Sequence, residues 1–152
     1  MNPSIKAALC NQANHELYAA HSYLAMAFWC EDKDYIGFSK FFYQQATEEH
    51  DHAMRFFRHL LNRSVEPDLT GIETPRTAFE RLRQVAQHAQ TLERRNSANI
   101  HQCYDIATEV KDHASLPMIL EFISEQVEEE SWADTMLTLT NRAECSGATY
   151  NL

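Results

Sequence analysis

Four long stretches of this chain place apolar residues three and four positions apart, the spacing that lines up one face of an α-helix. The first gives Ile5, Leu9, Gln12, Glu16, Ala19, Tyr23, Met26 and Cys30, and the second Phe38, Phe42, Gln45, Glu49, His52, Phe56 and Leu60. The third gives Phe79, Leu82, Ala86, Ala89, Glu93, Asn96, Ile100 and Cys103, and the fourth Ile119, Phe122, Gln126, Glu129, Ala133 and Met136. Every row is apolar towards its ends, carries a glutamate near its middle, and contains no Lys or Arg. A fold that buries all four rows must therefore also accommodate four carboxylates.

Only three glycines and four prolines punctuate the 152 residues, so the breaks are easy to place. Pro3 opens the first segment and "EDKD" (31–34) closes it. "SVEPDLTGIETP" (64–75) is the one long loop; Thr74-Pro75 reads as an N-cap and first-turn pair, with Thr77 and Glu80 spaced as a capping box. "VKDHASLP" (110–117) divides the third segment from the fourth. The expected organisation is one domain over 1–152, with helices at about 4–31, 35–62, 75–109 and 114–142 and a tail at 143–152. The first and last links are short, which makes their helices antiparallel neighbours. The middle link reaches ~40 Å at ~3.3 Å per residue, about the length of a 28-residue helix at ~1.5 Å per residue. It can run the length of the bundle and leave the second and third helices parallel, with Val65, Leu69 and Ile72 as anchors. The expected fold class is all-α, a four-helix bundle with one long crossover.

For any single helix, the glutamates could instead face water on a misjudged row, and "EQVEEES" is crowded enough with acids to favour that for the fourth helix alone. Four such coincidences at mid-helix are far less economical, and shifting a row exposes its Phe and Leu residues. Isolated buried carboxylates are prohibitively costly unless neutralised, paired or bound to metal. Two divalent cations balance four glutamates in formal charge. His52, three residues after Glu49 on the same face, adds a nitrogen ligand. Carboxylates with few imidazoles and no thiolate favour iron or manganese over structural zinc.

At "HELYAAHSYLAMAFWC", "ATEEHDHAMRFF" and "FISEQVEEE", over about residues 8–142, the chain resembles the ferritins, specifically the bacterial non-haem ferritins. The resemblance implies a ferroxidase diiron centre, with Glu16, Glu49 and His52 on one iron, Glu93 on the second and Glu49 as the bridge. Gln126 and Glu129 match the family's fourth-helix residues near the pair. Glu48, Glu125 and Glu128 match acids that form a third iron site and share Glu129. Tyr23 matches a tyrosine that hydrogen-bonds near the metals and can supply an electron; from sequence alone, a core tyrosine with a satisfied hydroxyl explains it equally well. The wider diiron class carries Glu-x-x-His on two helices, whereas the fourth helix here offers Gln126-x-x-Glu129, which argues against bacterioferritin and rubrerythrin. Bacterioferritins bind haem through a methionine just after the bridging glutamate; His50 stands there, so no haem is expected, and His50 is read as solvent-facing.

The implied reaction oxidises Fe(II) with O2 or H2O2 and deposits hydrated ferric oxide. The implied assembly is a 24-subunit cage of identical chains. Typical ferritins add a fifth helix, for which "AECSGATYNL" is too short, so open pores or a smaller oligomer such as a dimer are the alternatives. Two rivals stand beside storage: a non-storing diiron oxidase or peroxidase, and a non-catalytic metal-sequestering helical protein. The net charge of −9 argues against nucleic acid and anionic membranes as partners. No stretch approaches the ~18 apolar residues of a membrane span, and no signal peptide is seen at the start. Scattered Cys10, Cys30, Cys103 and Cys145 read as reduced, which fits a cytoplasmic setting. His15, His21, His59, His88, His101 and His113 read as surface or helix-end residues, and Trp29 and Trp132 as packing.

Overall fold

The computed structural model describes residues 1–146; the end of the expected tail, 147–152, lies outside the described residues. Helix α1 spans Pro3–Asp32, α2 Ile36–Asn62, α3 Leu82–Glu109 and α4 Leu116–Ser146, with a 3-10 turn at His113–Ser115 and no strand among the described residues. The fold is all-α. Every member of the four inner rows is buried except His52, Phe79, Glu129 and Met136, which are half-buried.

Two apolar clusters fill the interior, and membership in them fixes the direction of each helix. The first gathers Ile5, Leu9 and Ala13 of α1, Ala53, Phe56 and Leu60 of α2, Ile100, Cys103 and Ala107 of α3, and Ile119 and Phe122 of α4. The second gathers Tyr23, Met26 and Cys30 of α1, Phe38, Phe42 and Ala46 of α2, and Leu82, Val85 and Leu92 of α3, with Trp132 and Met136 of α4 against it. Helices α1 and α4 thus run from the first cluster to the second, and α2 and α3 run back, as the crossover requires.

The crossover itself differs from expectation. Leu69 is 74 % exposed and Ile72 37 %, so of the three expected anchors only Val65 packs on the core. Polar contacts hold the loop instead. The Asn14 amide donates to the Asp68 carbonyl at 2.8 Å and accepts from the Thr70 amide at 3.0 Å, and Trp29 Nε1 donates to the Phe79 carbonyl at 3.1 Å. These contacts explain why α3 begins at Leu82 and not near Pro75. Phe79 is lodged against Trp29 and His88, and Trp29 holds its carbonyl, so tertiary contact overrides the local Thr74-Pro75 signal. No capping box forms at Thr77; the Glu80 amide instead donates to Gln84 Oε1 at 2.7 Å. At the other end α4 continues past Arg142 and absorbs 143–146 of the expected tail.

With glycine so scarce, helix ends are closed by other residues. Asp34 (φ 64°), Ser64 (φ 58°) and Lys111 (φ 60°) each take the left-handed conformation just after α1, α2 and α3. The following amides fold back in the Schellman pattern: Tyr35 to the Cys30 carbonyl, Val65 to Leu60 and Asp112 to Ala107, at 2.8–2.9 Å. A Cβ in this conformation is disfavoured by ~1–2 kcal/mol. Lys111→Gly is therefore expected to stabilise the chain by about 0.5–1 kcal/mol after its added unfolded-state entropy, read from urea denaturation; a destabilised variant contradicts this.

Candidate metal centre

The acidic residues occupy the layer between the two apolar clusters. On α1, Glu16 lies between Ala13 of the first cluster and Tyr23 of the second; on α2, Glu49 lies between Ala46 and Ala53. On α3, Glu93 and Asn96 fall between Leu92 and Ile100, and on α4, Gln126 and Glu129 fall between Phe122 and Trp132. Helical periodicity makes this placement inevitable once the apolar ends of each row are buried. Glu16, Glu49 and Glu93 are 0 %, 1 % and 2 % exposed, whereas Glu129 is half-buried.

Two ligand-like groups result. Glu16, Glu49 and His52 each offer one atom within 4.8 Å of the others, and so do Glu49, Glu93 and Glu129. Glu49 belongs to both. Around a cation with ligands at ~2.1 Å, opposite donors stand ~4.2 Å apart, so the gathering is close to that of a ligand shell. Oε2 of Glu16 and both oxygens of Glu49 are buried and take no donor from any neutral side chain; in the metal-free chain only a proton shared between the two carboxyls serves them. Buried carboxylate oxygens almost always have partners. The lack of neutral donors on the one residue common to both groups fits two cations seated on either side of it.

The remaining oxygens are held by neutral donors. Gln12 Nε2 donates to Glu16 Oε1 at 2.9 Å and to Asn96 Oδ1 at 2.7 Å, and Asn96 Nδ2 reaches Glu16 Oε1 at 3.3 Å. The Tyr23 hydroxyl donates to Glu93 Oε1, and Gln126 Nε2 lies 3.2 Å from Glu93 Oε2 and 3.0 Å from Ser97 Oγ. Trp132 Nε1 donates to Glu129 Oε2 at 2.6 Å. These donors fix the carboxylates without neutralising them. Burial pushes Glu16 well above the usual carboxylate range, with the nearby Glu49 charge adding to it. Burial likewise raises Glu49 to about 8, against a hydrogen bond with Glu16 that lowers it and with the charges of Glu93, Glu129 and Glu48 adding to the rise, and burial raises Glu93 and Glu129 to about 7. Burial and the charges of Glu93 and Glu49 push the Tyr23 hydroxyl well up, so it stays a donor.

His52 is braced from behind. Its Nδ1 lies 3.6 Å from Glu49 Oε2 and 3.9 Å from Glu16 Oε2, and its Nε2 lies 3.1 Å from Glu125 Oε2. A carboxylate at Nε2 favours the proton there and leaves the Nδ1 lone pair facing the acidic cluster, the carboxylate–histidine–metal arrangement. Arg55 holds Glu125 in turn (3.3 Å) together with Glu121 (2.5 Å), with its guanidinium over Phe122.

The structure thus gathers Glu16, Glu49, His52, Glu93 and Glu129, with Tyr23 and Gln126 bonded to them. It does not gather Glu48, Glu125 and Glu128 into a further group of this kind among the described residues. Glu128 is exposed, Glu48 bonds the amides of Gln44 and Gln45, and Glu125 is drawn away by Arg55 and His52. Sequence reasoning placed Gln12 and Asn96 in the inner rows without assigning them a task; polar residues one turn from a core glutamate were the available signal. Arg55 and Ser97 gave none. Two of the histidines expected on the surface are not there: His15 and His88 each have a buried Nε2 without a partner, and burial lowers both, His15 to about 4. His59 bonds Ser115 at 2.8 Å. His50 is exposed, as read.

Comparison with known proteins agrees with this architecture. The ferritin-like domain family matches residues 6–143. A bacterial non-heme ferritin of Staphylococcus saprophyticus is 34% identical over 142 residues, 93% of this chain and 85% of that protein. One from Staphylococcus haemolyticus is 35% identical over 135 residues, 89% and 81% of the two chains. An open pore ferritin from the archaeon Archaeoglobus fulgidus superposes with a TM-score of 0.91 at 28% identity, covering 94% of this chain and 87% of that one. A humanized archaeal ferritin does so with a TM-score of 0.94 at 27% identity, covering 99% and 92%. With this family match spanning nearly the whole chain, and its four helices carrying a shared acidic layer, the protein belongs to the ferritin-like family.

Proposed function

We propose that this chain oxidises Fe(II) with dioxygen or peroxide at the Glu16, Glu49, His52, Glu93 and Glu129 cluster and stores the hydrated ferric oxide inside a cage of its own copies. The observation that carries the reading is Glu49, whose two buried oxygens take no donor from any neutral side chain and which is common to both ligand groups.

The residues divide the work by their chemistry. Hard anionic oxygens stabilise the higher charge of Fe(III), so carboxylates in a water-poor layer favour oxidation of bound Fe(II). Protons held by the raised carboxyls leave as the cations arrive. Gln126 lends its amide to Glu93 and adds no negative charge, leaving room for the oxidant. Gln12 and Asn96 keep Glu16 in place, and Arg55 with Glu125 keep His52 in place. Tyr23, bonded to Glu93, is the nearest one-electron donor from the protein. The apolar clusters above and below exclude bulk water. The fluid in which this takes place is taken to be the cytoplasm.

Gel filtration after aerobic loading with Fe(II) tests storage. A particle of roughly 400 kDa, about two dozen copies of the 17.6 kDa chain, holding far more iron than its binding sites account for, is the expected result. A dimer that consumes oxygen but retains only about two irons per chain makes the protein a non-storing oxidase. No oxygen uptake on adding Fe(II) leaves only metal sequestration.

A further inference from the structure

A hydroxyl inside a helix ordinarily bonds back to its own backbone. Ser22, Thr91, Thr108 and Thr138 do so here, each donating to the carbonyl four residues earlier at 2.9–3.1 Å. Ser97 of α3, 5 % exposed, instead donates across to Glu130 Oε2 of α4 at 3.1 Å. The carbonyl four residues before it, that of Glu93, receives Gln126 Nε2 at 3.2 Å, and the same nitrogen donates to Ser97 Oγ at 3.0 Å. The line of bonds continues inward. Asn96 Nδ2 donates to Gln126 Oε1 at 3.3 Å, and Gln12 Nε2 donates to Asn96 Oδ1 at 2.7 Å. Donation thus runs in one sense throughout, from Gln12 to Asn96 to Gln126 to Ser97 to Glu130. Amides and hydroxyls fit such a line in either sense, whereas an ionised carboxylate only accepts. The Glu130 end therefore selects the sense, and the Glu93 carbonyl favours the same turn of Gln126. As a result the amides present nitrogen to the acids: Gln126 Nε2 to Glu93 Oε2 at 3.2 Å, and Asn96 Nδ2 to Glu16 Oε1 at 3.3 Å.

We propose that Glu130, acting through Ser97, is a positioning residue that keeps the Gln126 carbonyl oxygen off the cation of the Glu49–Glu93–Glu129 group, an inference that rests on the two-cation reading of the centre. Three acceptors surround the Gln126 nitrogen: Ser97 Oγ, the Glu93 carbonyl and Glu93 Oε2. A cation on Glu93 takes the last of these. The two amide hydrogens then still have Ser97 and the Glu93 carbonyl, so Gln126 stays as it is. Without the Ser97 hydroxyl one hydrogen loses its buried acceptor, and turning Oε1 towards the cation becomes the better arrangement. The native arrangement leaves this place to carboxylates alone, one ligand poorer and quicker to exchange. A place that must empty between successive irons needs that property.

Titration of the metal-free assembled protein with Co(II) under argon, followed by visible absorption, tests this without turnover. The unsubstituted chain is expected to take one Co(II) at each of the two ligand groups, the second more weakly. Ser97→Ala is expected to bind the second about tenfold more tightly with the first unchanged, a size typical of altering a group behind a metal ligand. Ser97→Thr, which keeps a hydroxyl, is expected to match the unsubstituted chain. Glu130→Ala is expected to tighten the second place too, although the loss of its charge alone predicts the opposite, and to add nothing in a Ser97→Ala background. An unchanged second affinity in Ser97→Ala, or weaker binding at both places, overturns the inference, because a role in packing alone predicts no gain. Equal effects of Glu130→Ala with and without the Ser97 hydroxyl overturn the assignment of Glu130. An unsubstituted chain that takes up only one Co(II) overturns the two-cation reading and the inference with it.

Discussion

Glu49→Ala is expected to slow fast Fe(II) oxidation by on the order of 10²–10³-fold, the loss typical of removing a group that stabilises developing charge. The reason is its place in both ligand groups: among the described residues no other serves two. His52→Ala, which removes the one imidazole of the two groups found among the described residues, is expected to act in the same direction on one cation place. Glu128→Ala is the control, because Glu128 is exposed and outside both groups. Stopped-flow absorbance after mixing with Fe(II) in aerobic buffer separates these. Unchanged rates in both Glu49→Ala and His52→Ala exclude the site.

The same residue should make the metal-free protein more fragile in alkali than in mild acid. Burial holds the Glu49 proton up to about pH 8 in the folded chain, against about 4.5 for a free glutamate. Between those values the folded state binds a proton that the unfolded state has released, so stability falls as pH rises. Glu93 and Glu129, raised to about 7, act in the same sense, as does Glu16. Urea unfolding in the presence of a chelator is thus expected to show stability declining from pH 5.5 to 8.5. Glu49→Gln removes one contribution and is expected to be more stable than the unsubstituted chain at pH 8, by on the order of a few kcal/mol, while the two converge near pH 5. Divalent cations should restore the unsubstituted protein at pH 8 and do little for the variant. A flat or rising profile in the metal-free protein would show that these carboxyls are not buried together. The expected gain in stability on losing a functional group is the usual sign of a site built at the expense of the fold.

How far the sequence reached can be judged residue by residue. All eight members of the first inner row are buried, and the second row departs only at half-buried His52. The periodicity worked because a helix commits every third or fourth residue to one face, so burying Phe42 and Phe56 forces Glu49 inward between them. It failed at Pro75, where a good local start signal lost to Phe79 being held by Trp29 across a sequence separation no local pattern spans. Nor could it show that Glu125, matched in sequence to a third-site acid, stands beside His52 and Arg55.

The chain alone determined four amphipathic helices, their connection by one long link, and an acidic layer across the middle, since each follows from spacing along a helix and the reach of a loop. Only the tertiary structure decided which oxygens keep a neutral donor and which face each other without one. It also decided that Glu125 supports His52 from behind, and that Trp132 turns its N–H to Glu129. Those outcomes depend on side chains from different helices meeting at hydrogen-bond distance, and helical periodicity carries no information about that registration.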